Sequence, residues 1–360
     1  MESVTYFSEL GQYNFAIGIL AMLLLGFGFL MVFVKQNGFN ALTGTYLIVA
    51  AVLPLYLLIK SLGIIGEPLG TETIVALLFA EFAAASALIA MGAVLGKLKS
   101  WQYLLLGLLI VPFYMLNEWL VTEGALGITK TFTDPAGSIG IHMFGAYFGI
   151  GLTIAVRSLK HRKKSAESDY TSDRFSMIGS MVLWIFWPSF CSAIVAPTEI
   201  IKAAINTVLA LCGATLCTFF MSKILRKGKV SIADVANASL AGGVAIGATC
   251  NTATSWQAFI IGIIAGAVCV IGYTVIQPIL EKKLKISDTC GVHNLHGMPG
   301  LMGGIAAIFI VPDIVGGQLM GVAATFVISL IGGLIAGAVI RLTSLRNKAY
   351  DDGEEFKVSE

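Results

Sequence analysis

Charge is what this chain is short of. Only 12% of its 360 residues are Asp, Glu, Lys or Arg, against 57% hydrophobic, a balance that excludes an ordinary soluble domain. Histidine is scarcer still, with four residues in the whole sequence. The six cysteines (Cys191, Cys212, Cys217, Cys250, Cys269, Cys290) fall within or beside apolar runs, and no pair shares an obvious external loop. A disulfide framework is therefore not expected. The N-terminus, MESVTYFSELGQYNF, lacks a basic stretch before its apolar run, so no cleaved signal peptide is read and the first span is retained. No nucleophile–base–orienter set is present, and acids in apolar surroundings, such as Glu81, have no catalytic partner. An enzyme is not expected, nor a cofactor, nor a nucleic-acid partner. The tail, DDGEEFKVSE, carries no signalling domain, and the sequence names no cytoplasmic regulatory partner.

Long apolar runs are what the chain has instead. Runs of roughly 20 residues fit a bilayer core about 30 Å thick. They are marked at 13–34, 42–63, 73–96, 101–121, 137–157, 175–196, 201–222, 232–250, 256–277, 292–311 and 317–341. The expected fold is thus all-α and integral to the membrane, with eleven transmembrane helices. The eighth and tenth are glycine-rich and contain polar residues. The chain has forty glycines, which in membranes allow close helix–helix approach.

Loop charge supports that count. Loops after odd-numbered spans, together with the C-terminal tail, hold 20 of the 23 Lys and Arg residues. Only Lys60, Lys130 and Lys202 lie on the other side. The positive-inside rule then puts the N-terminus outside and the C-terminus in the cytoplasm. One polytopic domain is expected over 1–341, with a short cytoplasmic tail at 342–360, in a multi-pass protein of the cell membrane.

Three of the four histidines sit where histidine is expensive. His142 lies in IGIHMFGAYFGIGLTIAVR, uncharged until its last residue, and His293 and His296 open the apolar part of DTCGVHNLHGMPGLMGGIAAIFIV. An ionisable ring inside a span is a functional-site hypothesis by default. His161, in the basic run RSLKHRKK, reads as a solvated loop residue.

The histidine spans are the fifth and tenth, so they run antiparallel. An inverted repeat of halves 13–157 and 175–311, with 317–341 as an extra helix, would produce this, with the site at the midplane. Asp134-Pro135 reads as a helix cap followed by proline at the first helical position. From there His142 lies about 12 Å into the bilayer, and from Lys285, on the opposite side, His296 lies about 16 Å in if the chain is helical. Both rings reach the middle of the bilayer from opposite faces.

Two neutral imidazoles can share one proton and offer a donor and an acceptor to a small polar molecule. They can also relay a proton. The alternative is that each is a packing residue bonded to a carbonyl. Cys290-x2-His293-x2-His296 has ligand-like spacing, but it lacks a paired second motif, so no metal site is assigned.

CGVHNLHGMPG at Cys290–Gly300 resembles the signature of the Rh-type branch of the ammonium transporter/Rh superfamily. IHMFGAYFG at Ile141–Gly149, FWPSF at Phe186–Phe190 and AEFAAASALIAMGAVLGK at Ala80–Lys97 are similar to that branch too. The resemblance implies a homotrimer in membrane lipid, with one narrow pore per subunit conducting ammonium or ammonia. It implies His142 and His296 as the pore-lining pair, with His293 beside them. Phe82 and Phe190 match the phenylalanines stacked over the pore on the outer side, and Asp134 matches the aspartate eight positions before the first histidine. Without the resemblance, the phenylalanines read as packing residues and Asp134 as a helix cap.

Two departures concern the outer mouth. Where ammonium transporters proper place a cage tryptophan and serine, this chain has Thr122 and Ile194, and Thr122 offers a cation no aromatic face. Trp119 is the nearest indole. Cys191 stands where the Rh-type branch commonly carries asparagine. The stretch from Asn117-Glu118 to Asp134 looks longer than usual, which makes Glu118 and Glu123 candidate acids of the outer vestibule.

The function expected is a passive ammonia channel. Ammonium loses its proton at the outer mouth and the neutral molecule crosses an apolar pore past the twin histidines. The alternatives are a channel for carbon dioxide, methylammonium, urea or another small solute, and electrogenic ammonium transport. A sensor or scaffold that conducts nothing is a further class. The presence of both histidines speaks against it.

Overall fold

The computed structural model describes residues 2–156, 168–343 and 350–357. The basic run from Arg157 to Lys164, His161 within it, and Arg346 and Lys348 lie outside the described residues. Among those described there is no strand, and nine helices are long and apolar enough to cross a membrane. These are α1 (Glu9–Phe33), α2 (Lys35–Ser61), α3 (Ile74–Val94), α4 (Ser100–Thr122), α5 (Ser138–Ala155), α6 (Tyr170–Ser192), α7 (Ile200–Leu225), α9 (Ser255–Lys283) and α11 (Val315–Arg341). Between them lie two shorter helices, α8 (Ile232–Ile246) and α10 (residues 293–310). The chain is therefore multi-pass.

The two shorter helices are the glycine-rich spans, and they depart from expectation. α8 is two pieces of 7 and 6 residues, Ile232–Ala238 and Ala241–Ile246, followed by turns. Asn237 bonds back to the Ala233 carbonyl at 2.9 Å, and glycines follow where the pieces join. Such side-chain bonds and glycines weaken a continuous helix. Before α10 the chain is not helical. Lys285 ends α9 in the left-handed region (φ 59) and Gly291 repeats that conformation (φ 71). The 16 Å helical path from Lys285 to His296 is therefore absent.

α3 is the central column. Thr73 caps it by accepting from the Ala76 N–H at 3.2 Å, and its alanine-rich middle is buried on all sides. Small side chains let α1, α2, α4 and α5 all pack on it. α11 lies along α5, and α6 packs on α1. In α6, Pro188 cannot donate to the preceding turn, so the helix is loosened there, two residues before Phe190.

The C-terminal segment folds back onto the same end of the bundle as Lys97. Tyr350 donates its N–H to the Gly96 carbonyl at 2.9 Å, and the Asp352 carboxylate accepts from Phe39 and Asn40 N–H groups at the start of α2, at 2.6 and 3.0 Å.

Candidate functional site

α5 and α10 deliver the two buried histidines to each other. His142 is 2% exposed and His296 4%, their Nδ1 atoms are 3.2 Å apart, and the rings are near-parallel with centroids 5.3 Å apart. Each lies in a π-helical turn, Ser138–Met143 and His293–Gly297. Such turns shift side chains relative to regular helix, and they recur at functional sites.

Each histidine helix is started by a carboxylate upstream. Asp134 Oδ2 accepts from the Ile139 and Gly140 N–H groups at 2.9 and 2.7 Å. This corrects the expected cap geometry. The helix begins at Ser138 after Gly137, whose φ of 72° suits glycine, and Pro135 lies in the preceding turn rather than at the first helical position. In the same way Asp288 accepts from the Val292 and His293 N–H groups at 3.0 and 2.9 Å.

Aromatic rings extend the pair into a column. Phe82 and Phe190 are in contact at 4.8 Å between centroids, Phe190 is 5.8 Å from His142, and Phe27 stacks beneath His296 at 6.2 Å. The Trp187 indole stacks on His142 at 5.5 Å.

Two small cavities lie at successive heights along α3. At the Asp134 end, one of ≈ 40 Å³ is lined by Phe82, Asn117, Glu118, Thr122, Asp134 and Ile194 among others. Beyond the histidines, one of ≈ 20 Å³ is lined by Phe27, Leu88, Gly92, Asn237 and His296 among others. Since one water needs roughly 10–15 Å³ by such a measure, each holds only a few small molecules at most. The phenylalanine pair and the imidazole pair stand between them.

The arrangement has a definite hydrogen-bonding capacity. A bond between two Nδ1 atoms requires one ring to donate and the other to accept. The donor ring then carries a bare Nε2 acceptor and the other ring an Nε2–H. The Nε2 of His142 is buried and has no partner, so it is free to meet a passing molecule.

The remaining candidate residues are placed differently. His293 is half-buried, its ring 5.8 Å from Tyr147, and it lines neither of the two cavities. Glu118 lines the cavity at the Asp134 end, and its Oε2 accepts from the Tyr56 hydroxyl at 2.6 Å. Glu123 is absent from that lining and is ion-paired with Lys60 at 2.7 Å. Cys191 is buried, its carbonyl 3.6 Å from the Cys250 thiol. Among the described residues no cluster of His, Cys, Asp or Glu could hold a metal ion.

Sequence reasoning passed over several residues. Trp187 lies inside the quoted FWPSF, where only Phe190 was singled out. Asp288 stands eight positions before His296, as Asp134 does before His142, and that repeated spacing was a readable signal. Lys97 closes the quoted AEFAAASALIAMGAVLGK and counts among the loop charges, with no role assigned to it. It is buried, and its Nζ donates to the Ala93 carbonyl at 2.8 Å, to Thr153 Oγ1 at 2.6 Å and to the Ser287 carbonyl. It ties α3 and α5 to the irregular segment that leads into His296. Burial pulls its pKa down to about 8, against an opposing pull from Asp288.

The sequence profile of the Ammonium Transporter Family matches residues 7–356. Ammonium transporter Rh type B of Bos taurus is 39% identical over 349 residues, covering 93% of this chain and 67% of that protein. Ammonium transporter Rh type A of the same species is 37% identical, covering 100% of this chain and 85% of its own length. The solved structure of Nitrosomonas europaea Rh50, described with the mechanism of conduction by the Rhesus protein family of channels, superposes with a TM-score of 0.96 at 57% identity, covering 98% of this chain and 93% of that one. A sensor Amt protein shares the fold with a TM-score of 0.83 at 20% identity, covering 96% of this chain and 95% of its own.

Proposed function

The chain belongs to the ammonium transporter family, and on that premise we propose that it is a passive membrane channel for ammonia. The observation that carries the reading is the buried imidazole pair between two small cavities, reached from the Asp134 end past the contacting phenylalanines. Ammonium enters at the Asp134 end and gives up its proton to water of the outer mouth before passing Phe82 and Phe190. The neutral molecule slips between the rings and meets the free Nε2 of His142. It then passes His296 to the second cavity and is reprotonated beyond it.

Selectivity follows from desolvation. A column of aromatic and aliphatic walls cannot replace the hydration shell of potassium or sodium, and a metal ion cannot discard its charge. Ammonium can, by leaving a proton behind. The Nδ1–Nδ1 bond also supplies a proton relay, which is what favours electrogenic ammonium transport as the second reading.

The distribution of Lys and Arg supports an outside N-terminus and a cytoplasmic C-terminus, which makes the Asp134 end the outer one. We read α8 and α10 as the eighth and tenth of eleven spans. Residues 1–341 then form one channel domain, with 342–360 as its tail. The matched devices Asp134/His142 and Asp288/His296 support an inverted repeat of the two halves. A homotrimer with one pore per subunit is what the resemblance to the Rh-type branch implies.

The test is direct. Purified protein in liposomes receives an ammonium pulse while internal pH and transmembrane current are recorded together. Alkalinisation without current is the expected outcome. Current would establish net ammonium or coupled proton movement instead, and a response equal to that of empty liposomes would overturn the channel.

A further inference from the structure

Lys60 is a lysine of α2 that breaks the charge pattern of the loops, and it is buried, with 7% exposure. Its Nζ lies 2.7 Å from Glu123 Oε1 and 3.8 Å from Glu118 Oε2. The segment after α2 closes over this pair. Leu69 donates its N–H to the Lys60 carbonyl at 3.3 Å, and a Cβ on Gly66 would sit 3.1 Å from Nζ and 3.0 Å from Glu123 Oε2. On the other side, Glu118 faces the ≈ 40 Å³ cavity together with Asn117 and Asp134. Asn117 is 1% exposed, and its Oδ1, like Asp134 Oδ1, is buried without a hydrogen-bond partner. Acceptor oxygens thus line a small space, and among the described residues Lys60 is the cation that pairs with one of them, from behind Glu118 and outside the lining itself.

We propose that Lys60 is a tethered alkylammonium that compensates the acid of this mouth from behind, in place of a bound cation, and sets the channel's specificity for the neutral molecule. The inference rests on the ammonia-channel reading and deepens it. A lysine head group has the N–H donors and the charge of ammonium, lacking one hydrogen. It hydrogen-bonds Glu123 and stands within ion-pair reach of Glu118, so it compensates both without leaving the protein. Free ammonium then finds Glu118 already compensated, and Thr122 offers it no aromatic face. The mouth therefore releases ammonium readily and does not saturate at low concentration.

Lys60→Met keeps an unbranched apolar stem and removes the charge. Free ammonium is then expected to bind in the cavity, beside the uncompensated Glu118. The half-saturating ammonium concentration for flux should fall about tenfold, the scale set by one close charge at partial burial. Ammonium chloride should also raise the thermal unfolding midpoint of the variant above that in sodium chloride of equal ionic strength, an effect absent from the parent protein. Lys60→Arg, which keeps the charge, should behave as the parent in both assays. The double variant Lys60→Met with Glu123→Gln removes the ion pair together and leaves Glu118 uncompensated. It should show the same two changes in reduced size, and it serves where the single variant does not fold. Parent-like half-saturation with no difference between the two salts, in whichever variant folds, overturns the proposal. A parent protein that does not conduct ammonia overturns the channel reading instead, and the melting comparison still tests Lys60.

Discussion

Replacing Lys97 by methionine removes a buried charge from the joint that holds α3, α5 and the approach to His296. The acceptors it leaves behind keep other partners. Thr153 Oγ1 still donates to the Ser287 carbonyl at 2.7 Å, and the Ala93 carbonyl still accepts from the Thr289 N–H at 3.3 Å. The cost of the lost bonds is therefore an offset that does not vary with pH. What varies is the charge. The lysine has an ordinary pKa of 10.5 and is lowered to about 8 in the fold, chiefly by burial. Between those two values the unfolded chain binds more protons than the folded one, so stability rises with pH across that window. At 1.36 kcal/mol per unit, and allowing for partial titration at each end, the parent gains about 2 kcal/mol on the methionine variant between roughly pH 7.5 and pH 10. Thermal unfolding of both proteins in the same detergent at several pH values gives the difference directly, and other titrating groups cancel in it. A difference that stays level across the window, or falls, would refute the claim that Lys97 sits in a water-poor joint.

His142→Ala combined with His296→Ala removes both rings between the ≈ 40 and ≈ 20 Å³ cavities, which should join into a path wide enough for water. Liposomes should then leak ions as well as ammonia, and unchanged transport and selectivity would return both residues to a packing role. Gly243→Ala would place a methyl 2.5 Å from Trp187, whose indole stacks on His142. Overpacking there should cost roughly 1–3 kcal/mol and slow ammonia flux, while Gly316→Ala, with open space around it, should change neither melting nor flux. Asp352→Ala removes the carboxylate that accepts from Phe39 and Asn40 N–H groups. Loss of about 1 kcal/mol should follow, read as faster hydrogen exchange of those two amides, and unchanged exchange would mean that the tail does not hold α2.

Much of this fold was legible because lipid allows so few solutions. Nine of the expected spans are helices long and apolar enough to cross, since a chain in hydrocarbon must satisfy its backbone within each helix. The weak point was where that logic relaxes. Around Ser239 and from Lys285 to Gly291 the backbone is irregular, and its carbonyls and N–H groups find partners inside the protein. Tyr273 donates to the Cys290 carbonyl at 2.9 Å and Cys290 donates its N–H to the Gly92 carbonyl at 3.0 Å. Around Ser239 hydropathy does not mark the break, because the flanking residues are apolar, whereas Lys285–Gly291, KISDTCG, is polar and offers no reason to expect helix. The role of Lys60 was hidden for a related reason. The charge count marked it as an exception, but its partners Glu118 and Glu123 are far away in sequence and come together only when α2 meets the end of α4.

The two histidines meet even though the helical path first assigned to one of them is missing, and the reason lies in where each ring's position is set. Neither ring is placed by counting residues from the loop on its own side. Each is placed by counting from a carboxylate that starts its helix. Asp134 and Asp288 both stand eight positions before their histidine, both accept two backbone N–H groups, and both are followed by a π turn that carries the ring. A helix start costs unsatisfied donors unless something caps it, and at membrane depth water is not available to do so. The carboxylate therefore fixes the depth of the first turn, and the fixed spacing carries that depth to the imidazole. Two copies of one device, entering from opposite ends, bring two rings to within 3.2 Å whatever the route of the chain that leads to them.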